Sequence, residues 1–188
     1  SARRVDESHD AGPKAMAQLA LAPCSPFSVT KGLMTAAAQL AKERGVLLHT
    51  HLAETEDENG FCEEVFGCRP LDYVENCGWS ETKSWYAHGI HFNADEIQRL
   101  AKAGAGVASC SHSNMHLSSG ICSACELEQA GVAVGLGVDG SASNDASNMI
   151  QEVRAAWLIQ RLKYGSGAVS WQDALRWGTG GSARLLGR

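Results

Sequence analysis

Val46-Leu47-Leu48-His49-Thr50-His51-Leu52-Ala53-Glu54 begins as an apolar run just after Gly45 and ends in two histidines and a glutamate. The run is too short for a helix and is bounded by glycine, so it predicts a buried strand. Strand side chains alternate faces, which points His49 and His51 the same way. Glu54 falls just past the strand end, where a turn can swing its carboxylate back over His51. An imidazole that can hold a metal beside a carboxylate that can move protons is the minimum kit for activating water. A strand that simply ends in polar residues fits the same letters, and this stretch alone does not choose between the two.

The flanking sequence repeats one rhythm. Ala15–Ala22 is an apolar segment closed by Pro23; it reads as a strand, although its alanines also suit a helix. Thr30 caps a helix with Leu33, Ala37, Leu40 and Ala41 on one face, and Gly45 stops it. After Glu54, the acidic run Thr55-Glu56-Asp57-Glu58 suits a solvated first helical turn, where carboxylates face the positive dipole end. Trp85-Tyr86-Ala87-His88 reads as a second strand ending in histidine, with His91 three residues on. A capping-box start at Asn93–Glu96 opens a helix with Ile97, Leu100 and Ala101 inward, ended by Gly104. Ala105–Cys110 is a third strand, running into a polar Ser111–Asn114 loop. Ser123 and Glu126 open a short helix that ends at Gly131. Val132–Val138 is a fourth strand and delivers Asp139. A helix from about Asp145 to Tyr164 is expected to turn Met149, Val153, Trp157 and Leu162 inward, and a last helix starts at Ser170.

Strand, polar loop and helix in repetition argue an α/β fold with a parallel sheet. The three clearest strands each finish on a side chain with chemistry: His51, His88 and Asp139. In parallel α/β folds, and above all in eightfold barrels, the C-terminal strand ends form the rim of the active site. Three strands ending this way, with Glu54 beside the first, make a far sharper signal than any one of them.

Composition narrows the classes. The chain has 188 residues, 44% hydrophobic and 20% charged, which suits one domain with a real core, 1–188, and not a disordered segment. The net charge of −5 comes without a basic cluster, so no nucleic-acid partner is expected. No apolar run approaches the ~20 residues of a membrane span, and the polar start carries no signal-peptide core. Seven scattered cysteines suit reduced thiols in a cytoplasmic protein better than a disulfide framework.

His51-Leu-Ala-Glu54, Ala87-His88-Gly89, Ser113-Asn114-Met115 and Gly137-Val138-Asp139-Gly140, in this order and spacing, resemble the amidohydrolase superfamily. Within it they are similar to the branch of cytosine, guanine and triazine deaminases. Pro23–Val29, Trp85–Phe92 and Gly135–Met149 look most like the members that act on oxidised guanine. The resemblance implies a partial (β/α)8 TIM-like barrel holding about strands four to eight. It implies that His51 ligates one metal ion, zinc or alternatively Fe2+, and that Glu54 shuttles protons. Asp139 would contact the metal and take a proton from water, and His88 would stabilise charge on the substrate. His49 and His91 would support these groups from behind.

The implied reaction is hydrolytic deamination of a small purine-like substrate, 8-oxoguanine to urate and ammonia. Triazine, guanine or methylthioadenosine/S-adenosylhomocysteine hydrolysis in the same branch, and a non-catalytic fragment, are the alternatives. The family barrel needs eight strands and about 250 residues, and carries a His-x-His pair at the end of strand one that is not in this sequence. The chain is therefore expected to be the C-terminal part of a larger enzyme, neither binding zinc tightly nor turning over alone. Open sheet edges in such a half barrel invite pairing, including with a second copy. The sequence departs from the family at Ser109-Cys110-Ser111, where His-Cys-Pro is usual. His112 and His116 read as solvated loop histidines, and Cys122 and Cys125 as buried or incidental thiols.

Overall fold

The computed structural model describes Val5, Glu7, Gly12 and residues 15–188. The expectation for most of the first dozen residues lies outside these. Among the described residues five strands form one sheet: β1 (Ala20–Leu21), β2 (Leu47–Leu52), β3 (Ser84–His88), β4 (Gly106–Ser109) and β5 (Ala133–Leu136). They lie side by side in chain order, and every pairing is parallel. Each connection is helical: α1 (Lys31–Arg44), α2 (Glu56–Phe66), α3 (Pro70–Asn76), α4 (Ala94–Ala103), α5 (Ser111–His116) and α6 (Ala124–Gln129). After β5 come α7 (Met149–Tyr164), α8 (Trp171–Arg176), a π-helical turn at Trp177–Gly181 and α9 (Ser182–Leu185).

The helix ends follow from local chemistry. Thr30 accepts the Leu33 N–H at 3.2 Å, and Gly45 ends α1 in the left-handed region at φ 65°. Asn93 and Glu96 form the reciprocal box at the start of α4, as expected, and Ser170 with Asp173 does the same for α8.

The sheet has two unlike faces. Leu48, Thr50, Leu52, Tyr86, Val107 and Val134 occupy one face and are at most 3% exposed. The apolar members join Met34, Ala41, Trp79, Leu100 and Leu127 in a single core under the helices. On the other face Leu47, His49, His51, Trp85 and Ala133 are only half-buried. Helices covering one face of a sequential parallel sheet define a segment of a (β/α)8 barrel; a doubly wound sheet carries them on both. The five strands correspond to the expected partial barrel.

The bare face carries α9. Leu185 lies where a Cβ on Gly106 or Gly135 would fall, 2.1 Å and 2.6 Å away, so both positions need glycine for this helix to approach. Ser182 Oγ accepts from Leu136 N at 3.0 Å and donates to its carbonyl at 3.1 Å, satisfying backbone on the outer edge of β5.

Three expectations are corrected. Met34 rather than Leu33 is the buried residue of α1, because Leu33 is 50% exposed. Leu162 is 76% exposed, and α7 instead buries Glu152 and Gln160 toward the core. The Ser111–Asn114 segment is helical, α5, where a polar composition suggested loop.

Candidate metal and proton-transfer site

His51 reaches the C-terminal mouth of the sheet by ordinary alternation, in register with Ala87 on the bare face. Its Nδ1–H donates to the Cys24 carbonyl at 2.8 Å, which leaves the Nε2 lone pair facing the mouth. His88 arrives differently. It is in register with Leu52 on the helix-covered face, so alternation alone would send it away from the mouth. A positive φ of 70° turns it back, and its ring stacks on His51 with 5.4 Å between centroids. Nδ1–H of His88 donates to Asn114 Oδ1 at 2.8 Å, so here too Nε2 is the free nitrogen.

Asp139 lies three residues past β5, also with positive φ, 61°. Its carboxylate accepts from Ser113 Oγ at 2.6 Å and sits 4.0 Å from His51 Nε2 and 3.7 Å from His88 Nε2. Glu54 Oε2 lies 3.5 Å from the same His88 nitrogen. One ligand atom each from His51, His88 and Asp139 falls within 4.8 Å of the others. Ala53, His88 and Asp139, each at or shortly after a strand end, are three of the five non-glycine residues with positive φ among those described. Backbone strain of this kind concentrates at functional sites.

The electrostatics call for a cation. Two imidazole nitrogens and carboxylate oxygens converge on one point, an arrangement that a bound cation would stabilise. Imidazoles that donate their far nitrogen to a carbonyl or amide oxygen, as both do here, are the usual presentation of metal ligands. The donor set therefore fits a divalent transition ion. Burial alone would raise the Asp139 pKa, but hydrogen bonds from Ser113 and the Gly140 N–H, with the imidazoles nearby, hold it below the usual carboxylate range.

The expected residues separate into two groups. His51, His88, Asp139 and Glu54 meet. Glu54, expected over His51, is carried to the neighbouring His88. His49 points the same way as His51 but stops deeper in the bare face. It stacks on Trp85 at 4.6 Å and bonds the Trp85 carbonyl at 3.1 Å, and burial lowers its pKa. With His51 and Asp139 it lines a cleft of about 200 Å³. His91 joins Glu56 (2.9 Å) to the Ser119 carbonyl (3.0 Å), away from the cluster.

His112, expected to be solvated, is bound at 2.7 Å to the buried Glu152; His116 is exposed. All seven cysteines are free, Cys122 buried and Cys125 half-buried. Sequence reasoning missed Asn114 and Ser113 as supports, although both lie in a quoted motif just after β4. It also took Glu58 for a solvated residue. Glu58 is 2% exposed, and burial pushes its carboxyl up to about 7.

Residues 1–188 match the family described as the amidohydrolase family. The chain is 57% identical over its whole length to the 8-oxoguanine deaminase of Pseudomonas aeruginosa, of which it spans 42%. A solved adenosine deaminase from Xanthomonas campestris with bound zinc superimposes with a TM-score of 0.89 at 31% identity, over 98% of this chain and 43% of that one. The zinc complex of atrazine chlorohydrolase from Arthrobacter aurescens gives 0.91 at 33%, over 98% and 41%. The chain thus spans less than half the length of these relatives.

Proposed function

The chain belongs to the amidohydrolase family, and from that premise we propose that it supplies the proton-transfer side of a metal-dependent hydrolytic deaminase acting on 8-oxoguanine. The observation that carries this reading is the convergence of His51, His88, Asp139 and Glu54 on one point at the sheet mouth. The 57% identity to an 8-oxoguanine deaminase supports the substrate, and the likeness to two zinc-bound hydrolases supports zinc as the ion.

His51 and Asp139 would hold the ion, and His88 Nε2 beside them would stabilise charge on the substrate. When bound, such an ion acts as a Lewis acid and brings the pKa of water toward ~7. Asp139 is ionised at neutral pH, so it can take a proton from water as the oxygen attacks the ring carbon bearing the amine. Glu54 delivers its proton to the adjacent ring nitrogen, takes the proton of the added hydroxyl as that oxygen becomes the carbonyl, and passes it to the amine, which leaves as ammonia; the proton held on Asp139 then returns to Glu54. The ring carbon gains a carbonyl, and water is consumed. His88 Nε2 stands between the two carboxylates, 3.5 Å from Glu54 and 3.7 Å from Asp139, on the path a proton must cover from one to the other.

The likeness to atrazine chlorohydrolase favours, as a second reading, hydrolysis at a triazine ring. Ammonia release by the protein at the full length of its relatives separates the two. Guanine, 8-oxoguanine, cytosine, hydroxyatrazine and methylthioadenosine are compared by kcat/KM. The highest value is expected for 8-oxoguanine; preference for hydroxyatrazine or the thioether nucleoside overturns the substrate. Asp139→Ala should abolish turnover in a folded protein, and a normal rate refutes the chemistry.

A further inference from the structure

We propose that Glu58 is a positioning residue for Glu54, its buried carboxylate clamping the backbone turn that aims the proton-carrying side chain at His88. The proposal rests on the reading of Glu54 as proton shuttle.

Thr55-x-x-Glu58 has the spacing of a capping box, in which the glutamate reaches back to the N–H of the capping residue. The first half forms: Thr55 Oγ1 accepts the Glu58 N–H at 3.2 Å. The second half does not. Glu58 passes Thr55 and accepts instead from Ala53 N at 3.1 Å and Glu54 N at 2.9 Å, one oxygen to each. In α4 the same motif, Asn93 and Glu96, closes in the ordinary way. The departure at α2 therefore has a local cause, and the two residues it serves are Glu54 and the residue before it.

The turn needs such a clamp. Ala53 is 1% exposed and holds φ 53°, a conformation that L residues occupy only when surroundings impose it. Without Glu58 two amide donors beside it would lose their partners in a buried place. The carbonyl of Ala53 is fixed from the other side, accepting from Ile90 N at 2.8 Å and His91 N at 3.0 Å. Those donors lie in the loop directly after His88. Glu58 thus completes a rigid bridge between the turn that carries Glu54 and the loop that carries His88. A side chain with two oxygens is what the clamp requires, since each amide N–H takes its own acceptor and the amide of glutamine has a single oxygen to offer.

The test is a double-mutant cycle in the full-length zinc-loaded protein, using 8-oxoguanine turnover, zinc content and melting midpoint. Glu58→Gln should lower kcat about 10- to 100-fold, the scale of a small misplacement of a reacting group, with KM and bound zinc within about twofold. Glu58→Asp, which keeps both acceptors on a shorter stem, is made in parallel in case the amide prevents folding, and should show the same kcat loss. The Glu54→Gln/Glu58→Gln double variant should be no slower than Glu54→Gln alone, because the clamp acts only through Glu54. Losses that add in the cycle overturn the proposal, as does a normal kcat in both Glu58 variants. A normal rate for Glu54→Gln overturns the shuttle and the clamp together, whereas a dead Glu54→Gln with a normal Glu58→Gln removes the clamp alone.

Discussion

Asn114 and Gly89 secure His88 by different means. Asn114 fixes the ring through Nδ1, and Gly89, at φ 58° with Val107 Cγ1 2.6 Å from any added Cβ, lets the chain leave the strand tightly enough to bring the ring inward. Asn114→Ala should lower kcat/KM by about 10- to 100-fold with circular dichroism unchanged, since partners that fix the ring of a histidine at a metal site carry effects of that size. Glu58 makes a prediction of another kind. Burial raises its carboxyl from 4.5 in the unfolded chain to about 7 in the folded one, so the folded state holds the proton more tightly. The resulting stability is fully present below about pH 4.5 and is lost as pH rises through 7, a change on the order of 3 kcal/mol. Glu58→Gln does not titrate. Its denaturation midpoint relative to wild type should therefore be less favourable at pH 5 than at pH 8, as urea unfolding at the two pH values would record.

At the scale of elements, α9 depends on two residues without side chains. Gly135→Ala would place a methyl 2.6 Å from Leu185 Cδ1 and 3.0 Å from the Ser182 backbone, and the backbone cannot swing aside as a rotamer can. A loss of about 1–3 kcal/mol is expected, with an early, separate unfolding of residues 177–188 visible by hydrogen exchange. Most elements were legible in the sequence because their ends carry their own chemistry: Thr30, Asn93 and Ser170 at helix starts, Gly45 and Gly104 at helix stops. Legibility failed where tertiary context decides. Composition could not show that α5 is helical, since its first N–H groups are taken up by Glu152, 41 residues away. Nor could periodicity reveal that His88 turns inward, because a strand pattern assigns it to the opposite face. The convergence of His51, His88 and Asp139 was readable only through the rule that such strands end at a common rim.

As a whole the molecule is a sequential parallel sheet with one face covered by helices, and the chain spans 42% of the 8-oxoguanine deaminase of Pseudomonas aeruginosa. On the proposed reading His51 and Asp139 hold the ion from one side and leave the remaining coordination to whatever lies opposite. Zinc titrated into residues 1–188 alone should therefore raise the melting midpoint far less than zinc added to an apo-protein of the full length of the relatives; equal shifts would show that these residues suffice. The strained residue at 53 bears on any effort to harden the protein against heat. Glycine there would relax the backbone, by about 1 kcal/mol on general grounds, so a library screened only for survival at high temperature will drift toward Ala53→Gly. The winners of such a screen would be sturdier molecules with a slackened mouth, and heat tolerance would be a poor proxy for a working catalyst.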